Sequence, residues 1–309
     1  MLQQPVVQLR NVTKRIGGKT LVDRLTFDVP KGEVFGFLGP NGAGKTTTIR
    51  MMVGLMSMSE GEVLVNGISV NKQFEQAMKH VGAIVENPEL YKFLSGYQNL
   101  VHFARMIPGV TRERIDEVVS LVKLENRIDD KVKTYSLGMR QRLGVAQAIL
   151  HKPDVLILDE PTNGLDPEGI RELRDYLRRL SKEEGTAVIV SSHLLSEMEL
   201  MCDRVAVIQN GKLVDVRQVR DMVAPSEGAV EVTFVAEPAE LAAKVVAEAM
   251  PDALLAAQPG GFTVSVAYED IPGLVRALAL ADVRVYGVKA ASKTLEDQFL
   301  EMTRGGQIV

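Results

Sequence analysis

Residues 39–46 form a glycine-rich segment that ends in lysine and threonine, G-x-x-x-x-G-K-T, which is the spacing of a loop that binds nucleotide phosphates. The glycines allow the backbone to approach the phosphates closely, so that successive N–H groups point at the anion. Lys45 supplies a cation for the β and γ phosphates, and the Thr46 hydroxyl is a ligand for Mg²⁺. We therefore predict a nucleotide site with Mg²⁺ whose contacts are Gly39, Pro40, Asn41, Gly42, Ala43, Gly44, Lys45, Thr46 and Thr47.

Two adjacent carboxylates, Asp159 and Glu160, follow the apolar run Val155-Leu156-Ile157-Leu158. Such a run is typical of a strand buried on both faces, and ligands of parallel sheets bind at the carboxyl ends of the strands. Adjacent carboxylates repel each other unless a cation or separate roles keep them apart. Because a phosphate loop is present, we assign Asp159 to Mg²⁺ and Glu160 to the attacking water as general base. Alone, the Asp-Glu pair would be equally typical of an ordinary loop.

The elements that must position these residues alternate between strands and helices. Residues 34–38 read as a buried strand before the glycine-rich loop, and a helix is expected to begin near Lys45. Residues 89–150 have helical periodicity and no strand signal, which predicts a helical subdomain. Other strands are expected at 6–9, 26–29, 155–158 and 187–190, and in a hairpin that turns at Asn210-Gly211.

The composition changes at 224–228, where we place a linker between a nucleotide-binding domain at 1–223 and a small α+β domain at 229–309. Beyond the linker, the pattern predicts a strand, a helix, two strands, a helix and a strand, and then a last helix from about Leu295. This is the order of the split β-α-β-β-α-β motif of ferredoxin-like folds. The predicted segments are 230–235, 238–249, 253–257, 262–267, 272–280 and 283–288.

The bulk composition favours a globular protein that borrows any membrane role from a partner. The 309 residues are 46% hydrophobic and 25% charged, with a formal charge of −4. This charge gives no support for broad attraction to nucleic acid, and we expect no nucleic-acid partner. No apolar run reaches the roughly 18 residues that cross a bilayer, and the N-terminus lacks the pattern of a signal peptide. With Cys202 as its single cysteine, the chain forms no internal disulfide, and we expect it in the cytoplasm.

Three further segments follow in a fixed order along the chain. Residues 136–141, Ser-Leu-Gly-Met-Arg-Gln, precede a helix predicted at 139–150. Residues 163–166, Asn-Gly-Leu-Asp, follow the acidic strand, and His193 follows the strand 187–190. Over roughly residues 6–223 this series resembles the ATP-binding subunits of ABC transporters. The resemblance implies an α/β fold in which a P-loop ATPase core carries an antiparallel β subdomain and a helical subdomain.

The resemblance also implies roles for the residues in these segments. Ser136 and Gly138 contact the γ-phosphate of the ATP held by a second ATP-binding domain, and Asp166 links the two sites. His193 senses the γ-phosphate and helps to hold the attacking water. Two such domains, as a homodimer or a heterodimer, meet head to tail around two ATP molecules. ATP closes the dimer, and hydrolysis reopens it.

Glu86 marks the region that passes this motion to a partner. The resemblance implies that helices near Glu86 contact an integral membrane permease subunit, which places the chain at the cytoplasmic face of the membrane. The implied catalytic residues are then Lys45, Glu86, Glu160 and His193. Tyr91, Phe93 and Tyr97 follow Glu86, and we predict that they line the groove for the permease's coupling helix. Ordinary packing within the helical subdomain explains these rings equally well.

The chain departs from the family pattern at three places. The signature Leu-Ser-Gly-Gly-Gln is Tyr-Ser-Leu-Gly-Met at 135–139, and Glu86 replaces a glutamine that touches Mg²⁺ and water. We still count Glu86 as a metal ligand, with Thr46 and Asp159. Both changes resemble bacterial transporters that give self-protection against peptide antibiotics, such as the bacitracin and lantibiotic types. Ile16 stands where an aromatic ring usually stacks on adenine, which predicts weaker base selectivity.

The leading hypothesis is an ATPase subunit that powers an exporter of a drug, a peptide antibiotic or a lipid-like substrate. Export is suggested by the tail at 288–302, which resembles that of drug- and antibiotic-export ATPases. The main alternative is a non-transport ABC ATPase of translation, repair or complex assembly. Its members usually have two ATPase domains or long coiled coils, and this chain has one phosphate loop and a short insert. A third candidate is an inactive regulatory subunit, although Lys45, Asp159, Glu160 and His193 are all present.

Overall fold

The computed structural model describes residues 5–223, 229–251, 253–291 and 294–304. The chain divides into two compact units. The first holds the described residues within 1–219 and 302–309, and the second holds those within 220–301. The linker predicted at 224–228 lies outside the described residues.

The strands of the first unit are β1 Pro5–Ile16, β2 Lys19–Pro30, β3 Val34–Leu38, β4 Glu60–Val65, β5 Ile68–Ser69, β6 Val81–Ile84, β7 Val155–Asp159, β8 Ala187–Ser192, β9 Arg204–Gln209 and β10 Lys212–Gln218. Its helices are α1 Lys45–Met52, α2 Phe74–Met78, α3 Gly96–Ala104, α4 Arg112–Leu121, α5 Leu137–Ala148, α6 Pro167–Glu184 and α7 Leu195–Met201. A 3₁₀ turn lies at Val132–Thr134, and the short helix α8 Val219–Val223 crosses the division between the units.

A six-stranded sheet in the order β10-β9-β3-β8-β7-β6 forms the centre of the first unit. Its strands are parallel except β10, which pairs with β9 in a hairpin. The hairpin turns at Asn210-Gly211, with φ of 51° and 76°, as the sequence predicted. Strands β3, β7 and β8 are buried at every position, which confirms the apolar runs as central strands of a parallel sheet.

An antiparallel sheet in the order β2-β1-β4-β5 packs on this core and confirms the predicted β subdomain. Strands β1 and β2 have 12 residues each, longer than the segments predicted at 6–9 and 26–29. A single apolar core joins the two sheets. Within it, Phe27 of β2 stacks on Phe35 of β3 with ring centroids 5.6 Å apart.

Helices α3, α4 and α5 lie within residues 89–150, and each begins at a hydroxyl N-cap. Ser95, Thr111 and Ser136 accept hydrogen bonds from backbone N–H groups three residues ahead. The helix predicted at 139–150 is therefore corrected to Leu137–Ala148. The prediction was two residues late because the Ser136 hydroxyl already closes the helix end by bonding the Met139 N–H at 3.2 Å.

The sequence analysis did not predict β4, β5, β6 or the short helix α2. Strand β6 contains Gly82, which weakens the strand signal, yet the fold requires this glycine. A Cβ at Gly82 would lie 2.2 Å from the carbonyl oxygen of Ala148. The missing side chain thus lets the end of α5 pack directly on β6.

The second unit consists of β11 Ala229–Glu237, α9 Ala239–Ala249, β12 Leu255–Gln258, β13 Gly261–Ala267, α10 Ile271–Leu280, β14 Arg284–Ala290 and α11 Leu295–Arg304, with a 3₁₀ turn at Tyr268–Asp270. Its antiparallel sheet has the order β12-β13-β11-β14. This is the ferredoxin-like split β-α-β-β-α-β topology, as predicted. The unit has its own apolar core, in which Phe234 stacks on Phe262 at 5.0 Å.

Candidate nucleotide-binding site

The predicted site segments meet at one edge of the parallel sheet. Strands β3, β8, β7 and β6 are consecutive parallel neighbours, so that their carboxyl ends lie side by side. The phosphate loop follows β3, Asp159 ends β7, His193 follows β8 and Glu86 follows β6. Strand order thus brings together segments that are far apart in the chain.

The phosphate loop, residues 39–46, owes its shape to glycines. Gly42 and Gly44 have φ of 79° and 105°, a region that other residues rarely adopt. A Cβ on Gly39 would lie 2.4 Å from the carbonyl oxygen of Ile208, so this position also requires glycine. Helix α1 begins at Lys45, directly after Gly44, and its unpaired N–H groups therefore face the loop. This backbone cradle fits a polyphosphate.

Lys45 lies between the phosphate loop and the acidic strand end. Its side chain is buried, with the residue 6% exposed, and Nζ donates a hydrogen bond to the Gly39 carbonyl at 2.7 Å. The same nitrogen lies 3.8 Å from Oε1 of Glu160. Burial lowers the pKa of Lys45, and the charges of Glu160 and Asp159 act in the opposite direction. The ammonium group is therefore placed to meet phosphate oxygens that enter between the loop and the carboxylates.

Ser191 on β8 organises both acidic residues at the end of β7. Its hydroxyl donates to Oδ1 of Asp159 at 2.6 Å and accepts the backbone N–H of Glu160 at 2.8 Å. Asp159 and Ser191 are register partners across β7 and β8. The sequence analysis missed Ser191, because a serine at a strand end carries no signal of its own until the register is known.

Glu160 and His193 form a pair at the mouth of the site. Oε2 of Glu160 lies 2.8 Å from Nδ1 of His193. The backbone of Glu160 has φ of 49°, a strained value for a residue with a side chain, and the bond from its N–H to Ser191 supports it. Strain of this kind is characteristic of functional sites. The carboxylate, held between Lys45 and His193, is suited to accept a proton from water.

These groups line a cavity of about 550 Å³, whose volume lies in the range of small-molecule sites. Its lining residues are Lys19, Leu21, Asn41, Gly42, Ala43, Gly44, Lys45, Thr46, Thr47, Glu160, Asn163 and His193. The hydroxyl of Thr46, which lines this cavity, and the carboxylate of Asp159, which ends β7 directly before Glu160, are hard oxygen donors. Such donors, together with phosphates and water, are the usual ligands of Mg²⁺, so the residues present fit this ion.

Glu86 has a cationic partner in this structure. Its backbone has φ of 69°, and its carboxylate forms an ion pair with Arg50 in the last turn of α1. Neither the pairing nor the role of Arg50 was predicted, since the two residues are distant in sequence. The contact of Glu86 with Mg²⁺ stays a prediction.

Ser136, Gly138 and Asp166 meet at a second cavity of about 500 Å³. Ser136 caps α5, and Asp166 caps α6 by accepting the Gly169 N–H at 2.9 Å. The side chain of Leu165 lies close to Gly138: a Cβ added to this glycine would be 3.6 Å from Cδ2 of Leu165. Among the described residues, the two cavities share no lining residue, although Asn163 of the segment 163–166 lines the phosphate cavity and Asp166 lines the second.

Comparison with known proteins identifies the family. A family model described as ABC transporter matches residues 22–163. YhcH of Bacillus subtilis, an uncharacterised ABC transporter ATP-binding protein, is 59% identical over 298 residues, which are 96% of each chain. The chain belongs to the ABC transporter ATP-binding family. The bacitracin transport ATP-binding protein BcrA of Enterococcus faecalis is 35% identical over 100% of this chain and 99% of its own. The lantibiotic transport ATP-binding protein SrtF of Streptococcus pyogenes is 39% identical over 68% of this chain and 89% of its own.

The predicted fold class and activity are thereby confirmed. The solved structure of cbiO1 from Clostridium perfringens, part of the ABC transporter complex cbiONQ, has a TM-score of 0.66 and 26% identity over 71% of this chain and 90% of that chain. As a member of this family, the protein binds ATP and hydrolyses it to power transport. The comparisons give no support to the alternative of a non-transport ABC ATPase. The alignments with YhcH and BcrA extend over nearly the whole chain, including the C-terminal unit.

ABC ATP-binding subunits dimerise and work with membrane permeases. In the part of the chain that the structure describes, no helix has the length and apolar character to span a bilayer.

Ile16 provides a test of base selectivity in this ABC ATPase. It ends β1 and is 51% exposed, and Lys19 and Leu21 of the next strand line the phosphate cavity. We expect Ile16→Tyr to tighten ATP binding about two- to tenfold, because a stacked aromatic ring adds roughly 0.5–1.5 kcal/mol. Competition between ATP and GTP for a fluorescent nucleotide measures the effect, with Ile16→Leu as the matched control. Strong adenine preference in the parent protein would contradict the predicted weak selectivity.

Proposed function

We propose that this ABC ATPase drives an exporter whose substrate is a peptide antibiotic or a similar lipid-like drug. The observation that carries the proposal is the alignment with bacitracin transport BcrA over 100% of this chain, which includes the C-terminal unit as well as the ATPase cassette. The lantibiotic transport SrtF supports the same substrate class. The two departures at Glu86 and at 135–139 fit this subset of the family.

In the proposed mechanism, Glu160 accepts the proton of the attacking water, and His193 orients the carboxylate through their 2.8 Å contact. Ser191 holds the Glu160 backbone and the Asp159 carboxylate in register. Lys45 and the loop N–H groups hold the phosphates. Thr46, Asp159 and Glu86 would hold Mg²⁺ together with phosphate oxygens, and the bound ion would supply charge neutralisation at the phosphates.

The separation of the two cavities supports a head-to-tail dimer. Ser136 and Gly138 are N-terminal to or within the first turn of α5, so their backbone N–H groups are available to an anion. They line the second cavity and not the phosphate cavity of the same chain. A second ATP-binding domain that presents its phosphate loop to this cavity completes the contact. We therefore expect the isolated monomer to bind ATP and to hydrolyse it poorly.

A groove of about 350 Å³ beside Glu86 is the proposed seat of the permease. It is lined by Val53, Leu55, Met78, Val81, Ala83, Ile84, Val85, Asn87, Pro88, Glu89, Gly144 and Gln147. Its lining does not include Tyr91, Phe93 or Tyr97, so the contact of these rings with the coupling helix stays a prediction. Tyr91 and Phe93 follow the groove residues 87–89 in the chain. They form an exposed aromatic cluster with His102 and Phe103. Tyr97 contacts Arg112.

The aromatic cluster has a rigid support. Asn99 is fully buried, and its side-chain amide accepts the Tyr91 N–H at 2.8 Å and donates to the Tyr91 carbonyl at 3.1 Å. It also donates to the Ser95 carbonyl at 2.8 Å. Tyr91 and Phe93 are 42% and 69% exposed in spite of this fixed backbone. Exposed aromatic rings on a fixed segment are typical of protein interfaces.

We expect the double variant Tyr91→Ala, Phe93→Ala to weaken permease binding at least tenfold, since buried aromatic anchors dominate interface energies. ATP binding should be unchanged, because neither ring lines the phosphate cavity. Co-purification yield from membranes measures the first quantity and nucleotide titration the second. Tyr268→Ala, which removes another exposed ring in the second unit, is the control. Unaltered permease binding in the double variant would exclude the cluster from the interface.

The test of the proposed function is purification of the tagged full-length protein in mild detergent, followed by mass spectrometry. We expect a multi-span membrane protein to co-purify in stoichiometric amount. A strain that lacks both the ATPase and this membrane protein should be more sensitive to peptide antibiotics. Recovery with a ribosome or a DNA-bound complex would overturn the proposal. If a membrane partner is found but antibiotic sensitivity is unchanged, the proposed permease partner stands and the proposed substrate class is excluded.

A further inference from the structure

The ion pair of Arg50 and Glu86 connects two elements of the nucleotide site. Arg50 lies in the last turn of α1, the helix that begins with Lys45 at the phosphate loop. Glu86 follows β6, whose carboxyl end lies beside the end of β7 at Asp159. The ion pair therefore joins the helix that begins at the phosphates to the segment that leaves the neighbouring strand.

The same ion pair also joins the two walls of the groove proposed for the permease. One wall contains Val53 and Leu55, which follow α1. The other contains Val85, Asn87 and Pro88, which surround Glu86 in sequence.

We infer that Arg50 is a positioning residue that competes with the metal site for the carboxylate of Glu86. The inference rests on the proposed role of Glu86 towards Mg²⁺. Glutamine at this position is neutral, whereas Glu86 adds a full negative charge after β6, the strand that pairs with β7, which ends at Asp159, and like charges repel. Arg50 balances this added charge. Because one carboxylate serves both partners, each partner lowers the affinity of the other by the same factor.

The solvent exposure of the Arg50–Glu86 ion pair limits how much the loss of Arg50 can change the affinity for Mg²⁺. The side chains of Arg50 and Glu86 are 38% and 60% exposed, and exposed ion pairs change an equilibrium constant by about fivefold at most. We expect Arg50→Met to lower the Mg²⁺ concentration for half-maximal nucleotide binding about two- to fivefold, because Glu86 is then free to turn to the metal. Arg50→Lys keeps the charge and should stay close to the parent protein.

The experiment titrates Mg²⁺ at constant ionic strength against a fluorescent ATP analogue that is not hydrolysed. It compares four full-length proteins: the parent, Arg50→Met, Glu86→Gln and the variant that combines Arg50→Met with Glu86→Gln. Thermal unfolding of each verifies that these surface changes leave the fold intact. We expect the shift caused by Arg50→Met in the parent and no shift when Glu86 is already glutamine.

The four titrations separate the two claims. Glu86→Gln alone should raise the Mg²⁺ midpoint, and an unchanged midpoint would remove Glu86 from the metal site and the inference with it. If Glu86→Gln raises the midpoint while Arg50→Met has no effect, Arg50 does not position Glu86. Equal shifts from Arg50→Met in both backgrounds would show a general effect of its charge on the nucleotide. Either of these last two results overturns the inference about Arg50 and leaves the proposed role of Glu86 at the metal site intact.

Discussion

Replacement of Glu160 by glutamine should lower ATP hydrolysis roughly 10²–10⁴-fold while leaving ATP binding intact. Glutamine keeps the size of the side chain and its contact with His193, but it is no base. The backbone bond from Glu160 to Ser191 does not involve the side chain, so the local fold is retained. Steady-state phosphate release measures the loss, and calorimetric titration with Mg²⁺ and ATP measures binding.

Glu183→Gln is the matched control, because it makes the same chemical change at an exposed position near the end of α6. It should hydrolyse ATP at the parent rate. Unchanged turnover in Glu160→Gln would remove Glu160 from the mechanism, whatever its geometry. Loss of ATP binding together with hydrolysis would instead assign Glu160 to holding the nucleotide.

Replacement of Lys45 by methionine should weaken ATP binding about 10- to 150-fold. A hydrogen bond to a charged group contributes roughly 1.5–3 kcal/mol, and Lys45 Nζ already lies within the loop, 2.7 Å from the Gly39 carbonyl oxygen. Methionine preserves the apolar stem in its buried position, so the expected loss is specific to the ammonium group. Isothermal calorimetry with Mg²⁺ and ATP measures the affinity directly.

Lys79→Met removes the charge of an exposed lysine at the end of α2 and should bind ATP like the parent. The Lys45→Met protein should also have an undiminished thermal unfolding temperature, since burial disfavours the charged form of Lys45. ATP affinity within threefold of the parent value would show that the backbone cradle alone holds the phosphates.

The elements that sequence reasoning located best are those whose signal is local. The strands β3, β7 and β8 are continuous apolar runs, and the β9–β10 hairpin turns at an Asn-Gly pair that favours a single turn type. The alternating order of the C-terminal segments was enough to predict its ferredoxin-like topology. The start of α5 was predicted two residues late. The residue types around Ser136 do not show which of them is the N-cap, and the hydrogen bond from the Met139 N–H to the Ser136 hydroxyl identifies it.

The roles of the phosphate loop and of the Asp159-Glu160 pair could be predicted from the chain, because contiguous residues carry the whole pattern in each case. The groups that surround them could not, because they come from distant segments. Ser191 reaches Asp159 because β8 lies beside β7 in register, and Arg50 reaches Glu86 because α1 and β6 end near each other. Ser136 and Asp166 meet at the second cavity because α5 and α6 begin there, although the two residues are 30 positions apart in the chain. Such contacts depend on strand order and helix packing, which no local pattern in the chain encodes.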